Sequence, residues 1–318
     1  MTPRRMDLIK AAALVGLSAS CVLGGPRAAP TASTATAPAT VMQAWPALAS
    51  GGLMHARLAK LPEGTVLSAG KVTITEKDVA GEIAKSPQTV RAQLTKNAFF
   101  VLEQMTTRRL LLIEAKADAA KGGQDSSKTP DNVMLQQYLQ KRLAGLRAAD
   151  KEVRAFYEAN KDAVGGATFE QVKGQIESMV RQQKQQQALD RHVRALGQRT
   201  PIRVSAAWVK AQAVLALDNP VDKARRSGRP SLVDFGAKGC RPCDMLAPIL
   251  KALRTKYAGK ANVVFVSVRQ EQILAARYGI RSIPVQVFFD KDGKEVLRHT
   301  GFWPQEALEK QLAEMGAR

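Results

Sequence analysis

The feature that most constrains the fold of this chain is a cysteine pair, Cys240 and Cys243, placed between a predicted strand and a predicted helix. Residues 231–235 form a short apolar run typical of a buried strand, and apolar side chains recur at helical spacing from Met245 onward. The first sulfur therefore lies at a helix N-terminus, where unpaired N–H groups and the helix dipole stabilise a thiolate. The second sulfur lies three residues later on the same helix face. This arrangement suits reversible disulfide chemistry.

The cysteine count favours a redox pair over a metal site. The chain has three cysteines, and because Cys21 lies in an N-terminal apolar segment, Cys240 and Cys243 are the two in the main body. A structural zinc site normally takes four ligands, and the three histidines are not at metal-ligand spacing. We therefore expect no metal and no separate cofactor, with the Cys240–Cys243 disulfide as the redox group.

Length and charge bound the architecture and the partners. A chain of 318 residues accommodates about two domains. Its formal charge of +20 has two explanations, which are a polyanionic partner such as nucleic acid or an anionic membrane, and a solvated basic surface. We favour the solvated surface and expect no nucleic-acid partner, because no nucleic-acid-binding motif accompanies the charge.

Residues 1–29 have the features of an export signal. Arg4, Arg5 and Lys10 precede an apolar segment, 11–23, that is short for a membrane span. A short buried helix is the alternative, but low-complexity sequence follows. We expect the protein to be exported to the periplasm or cell envelope, where disulfides persist.

The route of export stays open from the sequence. Residues 4–10 resemble a twin-arginine signal, with Asp7 where an apolar residue is usual. Residues 17–21 resemble a lipoprotein box, with Ser18 where leucine is preferred. Cys21 is therefore a candidate for lipidation, which would anchor the protein in a membrane.

The next segment is predicted to be a flexible tether. Residues 25–49 are rich in Ala, Thr and Pro, and such a composition buries too little apolar surface to offset chain entropy. We expect the tether to cover residues 30–63.

Residues 64–204 are predicted to be mainly helical. Residues 66–74 favour two short strands, and Thr75 with Asp78 forms a capping-box-like start of a helix. Further helices are predicted from about residue 87, over 133–146, from residue 150 and over 168–196, with a turn-rich break at 122–130.

This order of elements resembles the N-terminal domain of SurA and of PpiC-type exported peptidyl-prolyl isomerases. In those relatives a parvulin domain precedes the last long helix, whereas here residues 161–167 stand in that place, so no isomerase activity is expected. The resemblance implies a chaperone-like module that binds extended chains, and a dimerisation or spacer domain is the alternative. The residues that carry the resemblance are 66–78, 102–105, 110–115, 152–160 and 169–204.

After a predicted linker at 205–218, the sequence favours an α/β domain over residues 219–318. Asn219 is placed to cap a short helix that begins with Pro220. Further β runs are predicted over 263–268 and 285–289, an Asp-Gly hairpin turn over 290–293 and a final amphipathic helix over 304–315.

This second domain resembles thioredoxin, and more narrowly the exported thioredoxin-like domains, over about residues 219–316. The motifs that carry the resemblance are 233–235, the cysteine pair, Pro248, 278–284 and the Asp-Gly hairpin. The implied fold class is two domains, a mainly α-helical SurA-N-like domain followed by an α/β thioredoxin fold with a central mixed sheet flanked by helices.

The resemblance also implies roles for individual residues. Cys240 would attack a substrate disulfide and Cys243 would resolve the mixed disulfide. Asp234, on the strand beneath them, would help to deprotonate the resolving thiol, and the alternative is a satisfied polar core residue. Pro284 would be cis, which places the backbone of Ile283 to pair with an extended client.

The chain departs from the family pattern beside the cysteines. Gly236 and Gly239 stand where aromatic residues are usual, which predicts a more open and less apolar groove. Arg241 and Pro242 replace Gly-Pro between the sulfurs and are expected to contact clients. The added cation would favour the thiolate and raise the reduction potential.

These inferences predict an exported thiol–disulfide oxidoreductase whose helical domain recruits client proteins. Asp234 favours the reductase or isomerase direction, and by resemblance the electron donor would be a membrane reductase of the DsbD or CcdA type. The alternative is a periplasmic chaperone or assembly factor that uses its thioredoxin domain mainly for protein binding. The intact cysteine pair argues against it, because binding alone needs no cysteines.

Overall fold

The computed structural model describes residues 39–48, 51–123, 129–164 and 166–317. The predicted export signal, Cys21 and the first residues of the predicted tether lie outside the described residues. Within the described part of the chain, no helix is long and apolar enough to cross a membrane.

A four-stranded sheet joins the start and the end of the N-terminal region. Its strands are β1 (Arg57–Ala59), β2 (Thr65–Ala69), β3 (Val72–Thr75) and β4 (Ile202–Ser205), in the order β1-β4-β2-β3. The predicted β2–β3 hairpin is confirmed. Strand β4 pairs parallel to β1 and antiparallel to β2, so the chain returns to this sheet after its long helices.

The segment predicted as a tether contributes to the core of this region. Helix α1 (Val41–Ala44) and a 3-10 helix (Gly52–His55) lead into β1. Val41, Leu53 and Ala56 are almost fully buried. The tether prediction is therefore wrong for the described residues before β2, because the few large apolar side chains of this segment pack against the sheet and helices.

Six α-helices are described between β3 and β4, and the first begins as predicted. Thr75 accepts a hydrogen bond from the Asp78 N–H, and Asp78 accepts one from the Thr75 N–H at 2.8 Å. The helix predicted from about residue 87 is interrupted at Asn97, whose backbone (φ −115°, ψ 37°) leaves the helical region. The helices are α2 (Glu76–Ala84), α3 (Gln88–Lys96), α4 (Ala98–Lys121), α5 (Asp131–Leu143), α6 (Asp150–Ala159) and α7 (Phe169–Arg199).

The predicted linker is helical. Helix α8 (Ala206–Ala216) buries Val209, Ala213 and Ala216 in the core of the N-terminal region. The linker prediction is therefore wrong, because apolar side chains at helical spacing give this segment a buried face. Helix α9 (Pro220–Arg225) follows, and its predicted cap is confirmed by a 2.9 Å hydrogen bond from the Asp222 N–H to Asn219 Oδ1.

The C-terminal region is built on a mixed sheet of order β6-β5-β7-β8. Strands β5 and β6 are parallel, and β7 is antiparallel to β5 and β8. Leu232 packs with Leu246 on one face, and Val233 packs with Leu274 on the other. The elements are β5 (Ser231–Gly236), α10 (Arg241–Lys256), β6 (Asn262–Ser267), α11 (Gln272–Arg277), β7 (Val285–Phe289), β8 (Glu295–Thr300) and α12 (Gln305–Glu314).

The two regions belong to one compact unit and meet at α11. Gln93 donates to the Gln270 carbonyl at 2.8 Å and accepts from the Ile273 N–H at 3.1 Å. Arg277 donates to Asn97 Oδ1 at 3.1 Å. Side chains of α3 and α11, together with the residue that ends α3, thus join α11 of the C-terminal region to the helical region.

Candidate active site

The cysteine pair lies at the start of α10. Cys240 and Cys243 are disulfide-bonded, with their Cα atoms 5.2 Å apart. Cys240 is the N-cap residue and is partly exposed, whereas Cys243 lies in the first turn and is 4% exposed. An attacking group from solvent can therefore reach Cys240 but not Cys243.

The loop before α10 explains one departure from the family pattern. Gly239 has φ +81°, a left-handed conformation that residues with a Cβ rarely adopt. The Cys240 N–H closes this turn on the Ala237 carbonyl at 3.4 Å. The backbone conformation thus favours glycine where the resemblance predicts an aromatic residue.

Asp234 is fully buried on β5. Its Oδ1 accepts a 2.8 Å hydrogen bond from Gln286 Nε2. Within the described part of the chain no donor lies within hydrogen-bonding distance of Oδ2. Burial raises the pKa of Asp234 from 3.8 to about 6, although the hydrogen bond from Gln286 works in the opposite direction. This carboxyl group can accept and return a proton near neutral pH.

Gly236 brings Asp234 and Cys243 close together. A Cβ built on Gly236 would lie 3.3 Å from Asp234 Oδ2 and 3.4 Å from Cys243 Cβ. The carboxyl oxygen and the buried cysteine therefore border the same small space between β5 and α10. A larger residue at position 236 would separate them.

The expectation of an open, less apolar groove is partly wrong, because Phe265 lies beside Gly236. Its Cε2 lies 3.1 Å from the position of a Gly236 Cβ, and the residue is 44% exposed. It stands in register with Asp234 on the neighbouring strand β6. An aromatic ring thus occupies the space beside Gly236, but it comes from another part of the sequence.

The peptide bond between Ile283 and Pro284 is cis, as expected. Pro284 directly precedes β7, and the next residue, Val285, pairs with Phe235 of β5. The proline therefore lies beside Gly236, at the end of the sheet from which the chain continues to the cysteines. Its carbonyl accepts a 2.9 Å hydrogen bond from the Gly301 N–H.

The structure adds Gln286 to the residues that the sequence indicated for this site. Gln286, the cross-strand partner of Asp234, is a polar residue in an otherwise apolar strand, and this contrast was the available signal.

Arg241 is exposed and Pro242 is partly buried. Among the described residues, no group of three or more His, Cys, Asp or Glu side chains could hold a metal ion.

Comparison with known proteins identifies the family of the C-terminal domain. Residues 217–316 match the family model of the thioredoxin-like domain. Over 99 residues the chain is 40% identical to a thioredoxin of Staphylococcus aureus. The aligned segment covers 31% of this chain and 93% of that protein. The chain belongs to the thioredoxin family. Membership rests on the C-terminal domain, and the residues before 217 lie outside the family match.

Solved structures of thioredoxins also match the chain. A mutant thioredoxin from Halobacterium salinarum NRC-1 is 30% identical, with coverage of 30% of this chain and 81% of that chain and a TM-score of 0.28. A Fasciola hepatica thioredoxin is 30% identical, with coverage of 33% and 93% and a TM-score of 0.27.

The thioredoxin relatives assign the domain a thiol–disulfide oxidoreductase kind of activity. Their family also implies thiol-containing protein substrates. The match covers about a third of this chain, so it assigns the chemistry of the C-terminal domain and leaves the role of the helical region to other arguments.

Proposed function

We propose that this protein is a thiol–disulfide oxidoreductase of the cell envelope that reduces or isomerises disulfides in client proteins held by its helical region. The observation that carries the proposal is the arrangement of Cys240, Cys243 and Asp234. An accessible sulfur is bonded to a buried one, and the buried cysteine borders the same space as a buried carboxyl group whose pKa is raised to about 6.

In the first step, the reduced enzyme attacks the client. The Cys240 thiolate, stabilised at the start of α10, attacks one sulfur of a client disulfide. The client S–S bond breaks, a mixed disulfide with Cys240 forms, and the second client sulfur leaves as a thiolate. The exposed Arg241 adds positive charge next to the attacking sulfur.

In the second step, Cys243 releases the client. Asp234 Oδ2 takes the proton of the Cys243 thiol, and the new thiolate attacks the Cys240 sulfur. The bond between client and Cys240 breaks, the client leaves reduced, and the Cys240–Cys243 disulfide forms. Two electrons pass from the cysteine pair to the client, and a base with a pKa near the working pH suits the proton transfer.

The oxidised pair must be reduced again before another turnover. No separate cofactor takes part in this scheme, because the two sulfurs carry the electrons. A membrane reductase of the DsbD or CcdA type would supply them, which is a proposal from the resemblance to exported thioredoxin-like domains.

The cis-proline segment is the proposed client-binding edge. The Ile283 backbone, next to the cis bond, would pair with an extended client chain, as strands pair at a sheet edge. Arg241 and Pro242 border the same cysteine and would contact the residues that flank the client sulfur.

The helical region has an open cavity that supports client binding. It measures about 580 Å³ and lies between α4, α5 and α7, where Leu135, Leu139 and Leu143 form its apolar wall. The same cavity favours the second candidate function, a chaperone or assembly factor whose thioredoxin domain only binds proteins. The proposed SurA-like character of this region rests on sequence resemblance.

Export of the protein is part of the proposal and rests on residues 1–29 and on the redox chemistry. Lipidation of Cys21 would anchor it in a membrane. Fusion of the first fifty residues to a reporter should direct that reporter out of the cytoplasm, and a cytoplasmic reporter would contradict the proposed location.

Single-cysteine variants separate the two candidate functions. We expect Cys240→Ser to abolish catalysed reduction of a disulfide-bonded model protein, and Cys243→Ala to accumulate a mixed disulfide with it, as measured by mass spectrometry. Met245→Ala, a change of an exposed residue on the same helix, should leave turnover intact. Turnover that persists in Cys240→Ser would leave the binding function as the better explanation.

The reduction potential of the pair tests the direction of electron flow. A value near that of thioredoxin, about −270 mV, supports a reductase. A value near about −120 mV, as in strong oxidants, would contradict the reductase or isomerase direction while leaving the thiol–disulfide chemistry in place.

A further inference from the structure

One row of paired residues across the thioredoxin sheet differs in its side chains from the rows beside it. Strand register places Phe265 beside Asp234, Asp234 beside Gln286, and Gln286 beside His299, across all four strands. Side chains at equivalent positions of neighbouring strands lie on the same face of a sheet. This face is the one covered by α10, because Leu232, two residues before Asp234, packs on Leu246.

Gln286 is the unusual member of this row. It is 0% exposed and stands between Val285 and Val287, which are also buried. Its Nε2 donates to Asp234 Oδ1, and its Oε1 has no donor among the residues that the structure describes. A buried amide with an unsatisfied oxygen destabilises a fold. The favourable interaction that the Gln286 side chain makes in this position is its hydrogen bond to Asp234.

The other groups that face Asp234 leave Gln286 as its one described hydrogen-bond donor. Strand β6 presents the uncharged Phe265, and α10 presents Cys243 across the space beside Gly236. Leu308 of α12 packs in the same core, next to Leu232 and Leu246.

His299 is the titratable group at the far end of the row. Burial lowers its pKa below the ordinary value of 6.5, which favours the neutral ring, although the hydrogen bond with the Phe302 carbonyl works in the opposite direction. The ring stacks on Trp303 at 4.6 Å, and its Nε2 lies 3.3 Å from the Phe302 carbonyl oxygen. Gln286 separates His299 from Asp234, so no charge faces the carboxyl group along this row.

We propose that Gln286 is a positioning residue for the proton transfer from Cys243 to Asp234. Its amide holds Oδ1 of the carboxyl group, which leaves Oδ2 directed into the space that it shares with Cys243. The same hydrogen bond stabilises the carboxylate and keeps it able to accept a proton near neutral pH. This inference rests on the proposed function, in which Asp234 is the base of the second step.

The substitution Gln286→Leu removes the donor and retains a buried side chain of similar size. Without the hydrogen bond, burial acts on the carboxylate alone, so the pKa of Asp234 should rise further. The loss of a hydrogen bond to a charged group corresponds to a rise of roughly one to two pH units. NMR titration of the 13C-labelled Asp234 carboxyl group in the reduced full-length protein measures this rise directly.

The chemical consequence appears in the release of client from Cys240. The acid limb of the pH profile for resolution of a preformed mixed disulfide should move up by the same interval. On the acid side of the profile, where most Asp234 carboxyl groups are protonated, the rate of client release should fall about tenfold for each pH unit by which the limb moves. Gln286→Met, which is unbranched like glutamine, provides a second variant in case the leucine variant does not fold.

Two further variants make the test specific. Phe288→Leu changes packing two residues along the same face without removing a donor, and it should leave both the titration and the limb in place. In an Asp234→Asn background, Gln286→Leu should change the release rate less than about twofold, because positions that act through one another are not additive.

The two levels of the proposal fail in different measurements. An Asp234 carboxyl titration that is unchanged in folded Gln286→Leu and Gln286→Met would overturn the inference about Gln286. A release rate that is unchanged in Asp234→Asn would overturn the base role in the proposed function, and with it the positioning role of Gln286.

Discussion

At the scale of single residues, the candidate active site contains a buried carboxyl group that lowers the stability of the fold. Asp234 is fully buried, and within the described chain one of its carboxyl oxygens has no hydrogen-bond donor. Burial disfavours the charged carboxylate, and this is the cause of its raised pKa. The fold therefore contains a group that destabilises it whenever that group is ionised.

The pH dependence of unfolding should report this cost. The folded pKa of about 6 lies above the value of 3.8 for a free aspartate, so the unfolded chain ionises first as the pH rises. At pH 4 about half of the unfolded chains are ionised at this residue and the penalty is below about 1 kcal/mol, whereas above about pH 7 the penalty is complete at about 3 kcal/mol. We expect Asp234→Asn to be more stable by up to this amount at pH 8 and by less than about 1 kcal/mol at pH 4, as measured by urea unfolding.

A matched aspartate provides the control for this experiment. Asp292 lies in the β7–β8 turn with 74% of its side chain exposed, and Asp292→Asn should give no comparable gain between pH 4 and pH 8. An Asp234→Asn variant whose stability difference is the same at both pH values would contradict the origin that we assign to the raised pKa.

At the scale of secondary-structure elements, two glycines of α7 differ in their surroundings. Gly197 packs on the 3-10 helix Gly52–His55, and a Cβ at this position would overlap the backbone carbonyl of Gly52. Gly174, near the start of the same helix, has no atom beyond its chain neighbours and its own helix backbone within 4 Å of a built Cβ. The close approach of two helices explains the first glycine, and nothing in the structure explains the second.

Substitution by alanine should therefore have opposite effects at the two positions. Gly197→Ala forces the helices apart, and overpacking of this kind costs roughly 1–3 kcal/mol. Gly174→Ala should stabilise the helix by about 0.5–1 kcal/mol through its higher helix propensity. Thermal unfolding of both variants measures these changes in stability. A loss of stability in Gly174→Ala that equals the loss in Gly197→Ala would show that the contact with Gly52 is not the cause.

At the scale of the whole molecule, Arg277 ties the thioredoxin domain to the helical region. Its guanidinium donates to the carbonyl of Ala216 at 2.9 Å, to the carbonyl of Ala47 at 3.4 Å and to Asp222 Oδ2 at 3.2 Å. Asp222 is fully buried and also accepts a 2.6 Å hydrogen bond from Tyr278. One buried charge cluster thus joins segments from both regions.

Loss of Arg277 should destabilise the protein far more than loss of an exposed arginine. Arg277→Ala leaves the Asp222 carboxylate buried without its closest cation, which costs about 3–5 kcal/mol. Arg298→Ala removes a pair with Glu295 in which both side chains are about a third exposed, and such pairs contribute about 0–1 kcal/mol. Urea unfolding compares the two variants, and equal losses would contradict the role of Arg277 in joining the regions.

Local signals explain the predictions from sequence that the structure confirmed. The capping box at Thr75, the cap at Asn219 and the β2–β3 hairpin each depend on residues close together in the chain. The cysteine pair at the start of α10 is of the same kind, because a strand followed by a helix positions both sulfurs without help from distant residues.

Predictions failed where the outcome depended on distant packing. Composition alone favoured a tether around Val41 and Leu53, and it favoured a linker around Val209. These side chains become core residues because β1, β4 and α8 assemble with helices far away in sequence. Apolar content in a short window does not show whether a complementary surface exists elsewhere in the chain.

The sequence by itself determined the redox chemistry of this protein, since the spacing of Cys240 and Cys243 and the helix that begins there are local properties. Only the tertiary structure decided what surrounds them. Gln286 meets Asp234 across 52 residues through strand register, and Arg277 reaches the Ala47 carbonyl across 230 residues. The physical reason is that the partners of a buried polar group are chosen by the packing of the whole chain.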